Sequence, residues 1–152
     1  MKEERLMSLP LHHIDTSVIL ETRRTENGRY CRRYLQLVGY KYKGIVPFPA
    51  LSEIFSVALT IEDYNRREDF LEVIYQLFKD AKIDTYVSKN MDRISLQIEN
   101  IDSRIRGSDR WILASSIEAN ASALVTLDKE LLENSKIEHA FGIKIMHPKD
   151  LL

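Results

Sequence analysis

The sequence predicts an α/β fold of three layers, in which a central, mostly parallel sheet of about five strands is flanked by helices. Short apolar runs alternate with longer stretches in which apolar residues recur every three or four positions, the pattern of strands separated by helices. The 152 residues suffice for one core and include only five Gly and four Pro. We therefore expect a single domain over residues 1–152.

The first strand and the first helical stretch are predicted from the N-terminal part of the chain. LPLHHID, at 9–15, ends in a turn residue and is predicted as a strand. Tyr30 and Tyr34 lie at helical spacing, in a stretch that we expect to be helical over 17–42, with an interruption at 25–28.

A second strand is predicted at 45–48, followed by a helix that begins at Pro49. Proline suits this position, because the N–H group that it lacks would be unpaired in the first turn anyway. The apolar residues of PALSEIFSVAL form one stripe that includes Phe55 and Leu59, and Glu53 falls nearly opposite it. We therefore expect Glu53 to face away from the core, one turn from a strand end.

The remaining elements continue the alternation of strands and helices. SALVTLD, at 122–128, is the strongest strand of the chain, and Ser108 is expected to cap a helix that begins at Asp109. The others are predicted as helices over 62–79, 91–104 and 129–134 and as strands over 83–87 and 143–147.

The composition excludes several classes of protein. The formal net charge is −1, so contact with nucleic acid requires a local basic patch. No apolar run approaches the roughly 18 residues of a membrane span, and the N-terminus lacks the apolar core of a signal peptide. The single cysteine, Cys31, forms no intramolecular disulfide, which is compatible with a reducing compartment. We expect a cytoplasmic protein without membrane contact.

Four carboxylates stand where an apolar run gives way to a turn or a helix start: Asp15, Glu53, Asp109 and Asp128. The C-terminal ends of parallel strands converge on one crevice, which would bring these acids together. Like charges at close range repel, and a hard divalent cation held by oxygen ligands is the usual compensation. Each acid alone has an ordinary explanation as a turn residue or a first-turn helix acid, but their conjunction favours a metal-binding cluster.

Three hydroxyl residues lie close to these acids in sequence. Thr16 and Ser17 follow Asp15, and Thr126 precedes Asp128 by two positions. Their hydroxyls are expected either to hydrogen-bond the carboxylates and hold their orientation or to be ordinary turn hydroxyls.

Basic residues form two groups. The first, within 23–43, is interleaved with tyrosines and is either a platform for RNA or a packed helix with solvated arginines. The second flanks the third acid of the cluster and is the better candidate for phosphate contact. It consists of Arg104, Arg106 and Arg110.

Four segments, taken in order, resemble the PIN-domain nucleases over nearly the whole chain. They are IDTSVILE with Asp15, PALSEIF with Glu53, SDRWILASSIEA with Asp109 and TLDKELL with Asp128. The resemblance implies a three-layer α/β fold and a Mg²⁺- or Mn²⁺-dependent nuclease that cleaves RNA to leave 5′-phosphates. It makes the four acids the catalytic and metal-binding residues, with Asp102 and Glu118 as weaker candidates.

The resemblance also implies partners. Many bacterial and archaeal PIN proteins are VapC-type toxins, usually dimeric and neutralised by an antitoxin, so the expected partners are RNA, an antitoxin protein and a second copy of the chain. The alternative is a catalytically idle PIN-like module that binds nucleic acid or a protein. The presence of all four acids favours the enzyme, since an idle module has no reason to tolerate their repulsion.

Overall fold

The computed structural model describes residues 8–21 and 23–152, and this part of the chain contains one five-stranded sheet. All its strand pairings are parallel, so the predicted fold class is confirmed and the sheet is parallel throughout. The strands are β1 (Leu11–Ile14), β2 (Lys43–Pro47), β3 (Asp84–Tyr86), β4 (Ala123–Val125) and β5 (Lys144–Met146), in the spatial order β3-β2-β1-β4-β5.

Helices connect the strands and cover both faces of the sheet, since successive residues of β1 are buried on alternate faces. In the described part of the chain, none of these helices has the length and apolar composition that a membrane-spanning segment requires. They are α1 (Thr16–Leu20), α2 (Glu26–Leu37), α3 (Phe48–Thr60), α4 (Tyr64–Asp80), α5 (Met91–Ile101), α6 (Gly107–Glu118), α7 (Lys129–Leu132) and α8 (Ser135–Phe141), followed by a 3-10 helix (Pro148–Leu151).

The central position of β1 determines where the chain can build a site. His13 of β1 is paired with Ile45 of β2 on one side and with Leu124 of β4 on the other. The backbone N–H of Asp15 donates to the Val125 carbonyl at 2.9 Å, which continues the ladder one residue beyond the strand. The chain therefore leaves β1 and β4 side by side at the carboxyl edge of the sheet, the usual ligand-binding edge of open α/β folds.

Close packing around β2 depends on a glycine. A Cβ atom on Gly44 would lie 2.5 Å from Cγ1 of Val38 and 3.1 Å from Cδ1 of Ile14. Both neighbours are fully buried, so they have little room to move. Gly44 thus permits the segment after α2 to pack directly on the sheet beside β1.

The long helix predicted over 17–42 is two helices. Thr25 accepts a hydrogen bond from the Gly28 N–H at 3.1 Å and caps the start of α2, so the interruption lies slightly earlier than predicted. The second helix also ends earlier, before Gly39, whose φ of +90° belongs to the left-handed region.

The predicted buried face of α3 was wrong in part. The side chains of Ala50, Ile54 and Ala58 are buried, whereas Phe55 and Leu59 are 53% and 78% exposed. This helix is apolar on more than one side, so periodicity alone did not identify the face that packs. The two small alanines allow α3 to lie against α1 and α6.

Two boundaries near the third acid also differ from the prediction. Helix α5 ends at Ile101, so Asp102 is its C-cap and does not lie inside a helix. Helix α6 begins at Gly107 with Arg106 as the N-cap, and Ser108 is its second residue rather than its cap. Helix α8 and the final 3-10 helix have no counterpart in the prediction.

Candidate active site

One cleft at the carboxyl edge of β1 and β4 contains all four predicted acids. It has a volume of about 350 Å³ and is open to solvent. Two acids follow strands β1 and β4, and two come from helices α3 and α6, so four separate segments contribute. The lining residues are Asp15, Thr16, Ser17, Leu20, Glu53, Asp109, Leu127 and Asp128.

Asp15 is the most buried of the four acids, with 4% of its surface exposed. The Ser17 hydroxyl donates to its Oδ2 at 2.7 Å, and the Thr126 hydroxyl donates to the same oxygen at 2.8 Å. Two bonds to one oxygen hold the plane of the carboxylate, and Oδ1 takes part in neither of them. Ser17 and Thr126 therefore lie where the sequence analysis expected orienting hydroxyls.

The same hydroxyls also hold the segment that follows β4. Ser17 Oγ accepts the Leu127 N–H at 3.1 Å, and Thr126 Oγ1 accepts the Asp128 N–H at 3.0 Å. Because these two side chains bond both Asp15 and the backbone before Asp128, they keep the first and last acids in register.

Asp128 has a local structural role as well as a place in the cleft. Its Oδ1 accepts the backbone N–H groups of Glu130 at 2.8 Å and Leu131 at 3.3 Å, which caps α7. The capping bonds fix the position of the carboxylate at the cleft wall.

Glu53 lies beside the buried stripe of α3 and does not face away from the core as predicted. Its side chain is half-buried, and its Oε1 is buried without a hydrogen-bond partner. An unpaired buried carboxylate oxygen is costly in free energy, so this atom is available to a cation or a donor that enters the cleft.

Asp109 is the third residue of α6, which the chain enters through Gly107 at a φ of +58°. Burial raises the pKa of its carboxyl group to about 7, with further contributions from the negative charges of the other three acids and from a hydrogen bond with Asp128. Near neutral pH this carboxyl therefore carries a proton in a large fraction of molecules.

The four carboxylates line the cleft, but they are not arranged around one common metal position. Within residues 8–21 and 23–152, no three Asp, Glu, His or Cys side chains are placed so that together they could hold a metal ion.

Comparison with family models identifies the family of the chain that forms this cleft. The family model described as the PIN domain matches residues 13–137, a range that includes all four acids. The chain belongs to the PIN domain family. PIN domains are generally nucleases, which are hydrolases.

Solved structures share the fold of this PIN domain. VapBC-1 from nontypeable Haemophilus influenzae aligns with a TM-score of 0.65 and 16% identity, over 91% of this chain and 98% of that chain. VapBC2 from Rickettsia felis, bound to a DNA fragment from its promoter, gives 0.68 and 11%, over 90% and 98%. FitAcB from Neisseria gonorrhoeae gives 0.65 and 15%, over 91% and 98%. No curated protein matches the sequence significantly.

The arginines predicted to contact phosphate are mostly engaged within the PIN domain. Arg104 forms two parallel bonds to Asp102, at 3.0 and 2.8 Å. Arg110 pairs with Glu99 at 3.3 Å, and its Nε is buried without a hydrogen-bond partner. Arg106 is exposed and donates to a backbone carbonyl at 3.4 Å. Two of the three guanidinium groups are thus paired with carboxylates.

The two weaker acid candidates lie outside the cleft. Asp102 binds Arg104 and accepts from Asn134 at 2.8 Å, and the bonds from the Arg104 guanidinium hold the pKa of Asp102 well below its usual range. Glu118 accepts the backbone N–H groups of Lys89 and Asn90, at 2.9 and 3.2 Å, just before α5 begins. Both acids therefore serve local structure.

Sequence reasoning missed the apolar walls of the cleft, and one hydroxyl differs from expectation. Leu20 and Leu127 line the site, and their proximity in sequence to Asp15 and Asp128 was the signal that could have identified them.

The Thr16 hydroxyl donates to a backbone carbonyl of α3 at 3.3 Å and not to a carboxylate. Its bond connects α1 to α3 beneath the cleft.

Proposed function

We propose that this protein is a metal-dependent endoribonuclease that hydrolyses RNA phosphodiester bonds at the cleft of four acids. The observation that carries the proposal is the gathering of four carboxylates from four segments, one of which has its pKa raised to about 7 by burial and by the charges of the others. Membership of a family whose members are generally nucleases supports the reaction class. RNA as the substrate follows from the resemblance to VapC-type proteins.

The donor atoms of the cleft suit a hard divalent cation by their chemistry, although the carboxylates must come closer together to hold one. Carboxylate oxygens are the ligands that Mg²⁺ and Mn²⁺ prefer, and the unpartnered Oε1 of Glu53 adds an acceptor without a competing bond. In this proposal Asp15, Asp109 and Asp128 hold the ion, and Glu53 binds it directly or through water. A bound divalent ion supplies Lewis acidity at the phosphate and lowers the pKa of a water molecule.

The protein contributes orientation and charge. Asp15 is held by two hydroxyls and Asp128 by the backbone of α7, so neither carboxylate must reorganise when substrate arrives. Asp109 must lose its proton to act as a ligand, and its raised pKa opposes that loss, so a bound cation would have to offset the burial and repulsion that raise the pKa. Leu20 and Leu127 supply apolar surface beside the acids of the cleft.

Cleavage of a single-stranded RNA by the purified protein tests the proposal. We expect cleavage in Mg²⁺ or Mn²⁺, none in EDTA, and loss of cleavage in Asp15→Asn and in Asp109→Asn. Asp92→Asn, an exposed acid on α5, is the matched control and should cleave normally. Full cleavage by either cleft variant would refute the assignment of the cleft.

The idle-module alternative predicts a different result in the same assay. An idle PIN-like module binds RNA or a protein without cleaving, with or without a divalent ion. If the wild type binds RNA but leaves it intact in both Mg²⁺ and Mn²⁺, the alternative replaces the proposal.

We extend the proposal to a cytoplasmic toxin that an antitoxin neutralises. The shared fold with VapBC-1, VapBC2 and FitAcB supports this reading. Induced expression without a partner should arrest growth of the host cell, and Asp15→Asn should abolish the arrest because it disables the cleft while preserving the surface. Equal harm from both versions would place the toxicity outside the cleft.

A second copy of the chain is the proposed partner of the exposed side of α3. Phe48, Phe55 and Leu59 lie on that side, and α4 beside it contains no fully buried residue. Contiguous apolar surface of this kind is typical of an interface. Light scattering during size-exclusion chromatography should give a dimer for the wild type and a monomer for Phe55→Glu, with equal folded content by circular dichroism.

A further inference from the structure

We propose that the RNA strand is anchored by an arginine cleft, consisting of Arg24, Arg29 and Arg32, in the segment that follows α1 and in the first turns of α2. The proposal rests on the proposed function only in taking RNA as the strand that reaches the acids. It names the surface that binds the sugar-phosphate backbone, which the paired arginines beside Asp109 do not provide.

The arginine cleft is a concave surface between the end of α1 and the first turns of α2. Its volume is about 570 Å³, larger than that of the acid cleft. All its lining residues are exposed, so the guanidinium groups are reachable by a large ligand. They are Arg24, Thr25, Glu26, Arg29 and Arg32.

Neighbouring acids cancel only part of the positive charge of this cleft. The ion pairs within the described residues involve Arg23, Arg104 and Arg110, and none of the three cleft arginines. The nearby carboxylate of Glu21 is occupied by Arg23, at 3.0 and 2.7 Å. Glu26, which lines the cleft, accepts the hydroxyl of Tyr30 at 2.8 Å.

The contacts that the cleft arginines do make preserve their charge. Arg32 Nη1 donates to the backbone carbonyl of Arg23 at 3.2 Å. The Arg29 guanidinium lies 5.6 Å from the centroid of the Tyr30 ring, a cation–π contact that leaves its charge unpaired with any carboxylate of the described residues. The cleft therefore has three exposed guanidinium groups and a single carboxylate, so its lining is positively charged.

The charge of the acid cleft makes a separate anchor necessary. Four carboxylates repel a phosphodiester backbone, and the net charge of −1 gives no attraction from the molecule as a whole. Arg104 and Arg110, beside the acids, already pair with carboxylates. Arg106 is the one arginine of this group without a carboxylate partner among the described residues, so most of the attraction for RNA must come from a local positive surface at some distance.

The arginine cleft lies within reach of the same strand. Helix α1 starts directly after Asp15, and its last residue, Leu20, lines the acid cleft. Five helical residues span about 7 Å and the four residues to Arg24 at most about 14 Å, so the two clefts are roughly 20 Å apart or less. A single strand with one phosphate at the acids thus reaches the arginines within a few nucleotides.

Phosphate is the ligand that these groups fit. A guanidinium presents a planar fork of donors that matches phosphate oxygens, and such contacts hold the strand without reading its sequence. An acidic segment of a protein offers the same charge, but only RNA must also extend to the acid cleft. We therefore expect RNA to compete effectively with an acidic peptide for this surface.

The test measures binding without cleavage. Anisotropy of a fluorescein-labelled oligouridylate is followed in EDTA as a function of KCl, for wild type and for the double variant Arg24→Gln, Arg29→Gln. The matched control is Arg66→Gln, Arg93→Gln, which removes the same charge from exposed positions on α4 and α5. Thermal melts verify that all proteins fold.

The double variant should bind more weakly, and its slope of log K against log salt should flatten by about 1.4, or 0.7 for each lost contact on a single strand. The control should retain the wild-type slope, and Arg24→Lys, Arg29→Lys should recover it. Equal slopes for the cleft variant and the wild type, or equal flattening in the control, would overturn the proposal.

Two further outcomes separate this inference from the function on which it rests. If the wild type binds RNA through the arginine cleft but cleaves nothing in Mg²⁺ or Mn²⁺, the anchor stands and the nuclease proposal fails. If polyglutamate binds in a cleft-dependent way and oligouridylate does not, the surface is a docking site for an acidic protein and the RNA anchor is refuted.

Discussion

Asp109→Asn should make the metal-free protein more stable at neutral pH, because it removes a charge that is half-buried and that three other carboxylates repel. The pKa of Asp109 is raised from 3.8 to about 7, mainly by burial and then by the charges of Asp15 and its two other neighbours. A rise of this size corresponds to about 4 kcal/mol for a group shielded from water. The carboxyl is only half-buried, so solvent screening reduces the expected gain to about 1–2 kcal/mol.

The sign of the pH dependence follows from the raised pKa. Between about pH 4 and pH 7 the folded protein holds the Asp109 proton more tightly than the unfolded chain, so the wild type loses stability as pH rises through this window. Above pH 7 the loss is complete. Asparagine does not titrate, so the advantage of the variant should grow from pH 5 to pH 7 and stay constant to pH 8.

Urea unfolding in EDTA at pH 5, 6, 7 and 8 measures this difference. At pH 8 the expected gain shifts the thermal midpoint upward by about 2 to 8 °C in a chain of this length. Asp92→Asn, from the exposed side of α5, should change neither the free energy of unfolding nor the thermal midpoint. If Asp109→Asn is no more stable than the wild type at pH 8, or if its advantage persists unchanged at pH 5, burial and repulsion do not destabilise the charged Asp109 as its placement implies.

Three further predictions concern ions, acid and packing. Mg²⁺ at a hundredfold excess over its dissociation constant should stabilise the wild type by about 2.7 kcal/mol in calorimetry, and an Asp15→Asn, Asp109→Asn double variant should not respond. His12 and His13 are buried with pKa values lowered to about 4, so the fold should lose stability as pH falls from 6.5 towards 4, by about 2 kcal/mol per histidine between pH 7 and 5. In urea titrations at these two pH values, His13→Leu should remove the contribution of His13. If the loss of stability in acid is as large in the variant as in the wild type, other groups cause it. Gly44→Ala should cost about 1–3 kcal/mol in urea unfolding through overpacking, and a neutral result would show that its neighbours can move.

Local signals in the sequence account for most of the elements. The apolar run that ends at Asp128 and the turn residue at Asp15 mark β4 and β1, because buried parallel strands are short, continuous apolar segments. Signals for α8 were also present. Asn134 caps its start by accepting the Ile137 N–H at 3.2 Å, and Gly142 ends it at a φ of +68°. A helix of seven residues is too short for periodicity to reveal it.

The choice of which apolar side of α3 is buried belongs to the tertiary structure. Phe55 and Leu59 are more hydrophobic than Ala50 and Ala58, yet the alanines face the sheet and α6. The contact requires small side chains because the helices approach closely, and this requirement exists only once the layers are assembled. For the same reason Glu53 turned out to line the cleft.

The sequence by itself determined the fold class and which four acids line one cleft, since strand ends and helix starts are local features and the order of a parallel sheet brings them to one edge. The tertiary structure alone decided the pKa values of these acids and which of the neighbouring arginines form ion pairs. The pKa of Asp109 depends on carboxylates distant in sequence, and Arg110 forms an ion pair with Glu99 of the neighbouring helix. Coulomb energy and burial depend on distance in space, which no local pattern of residues encodes.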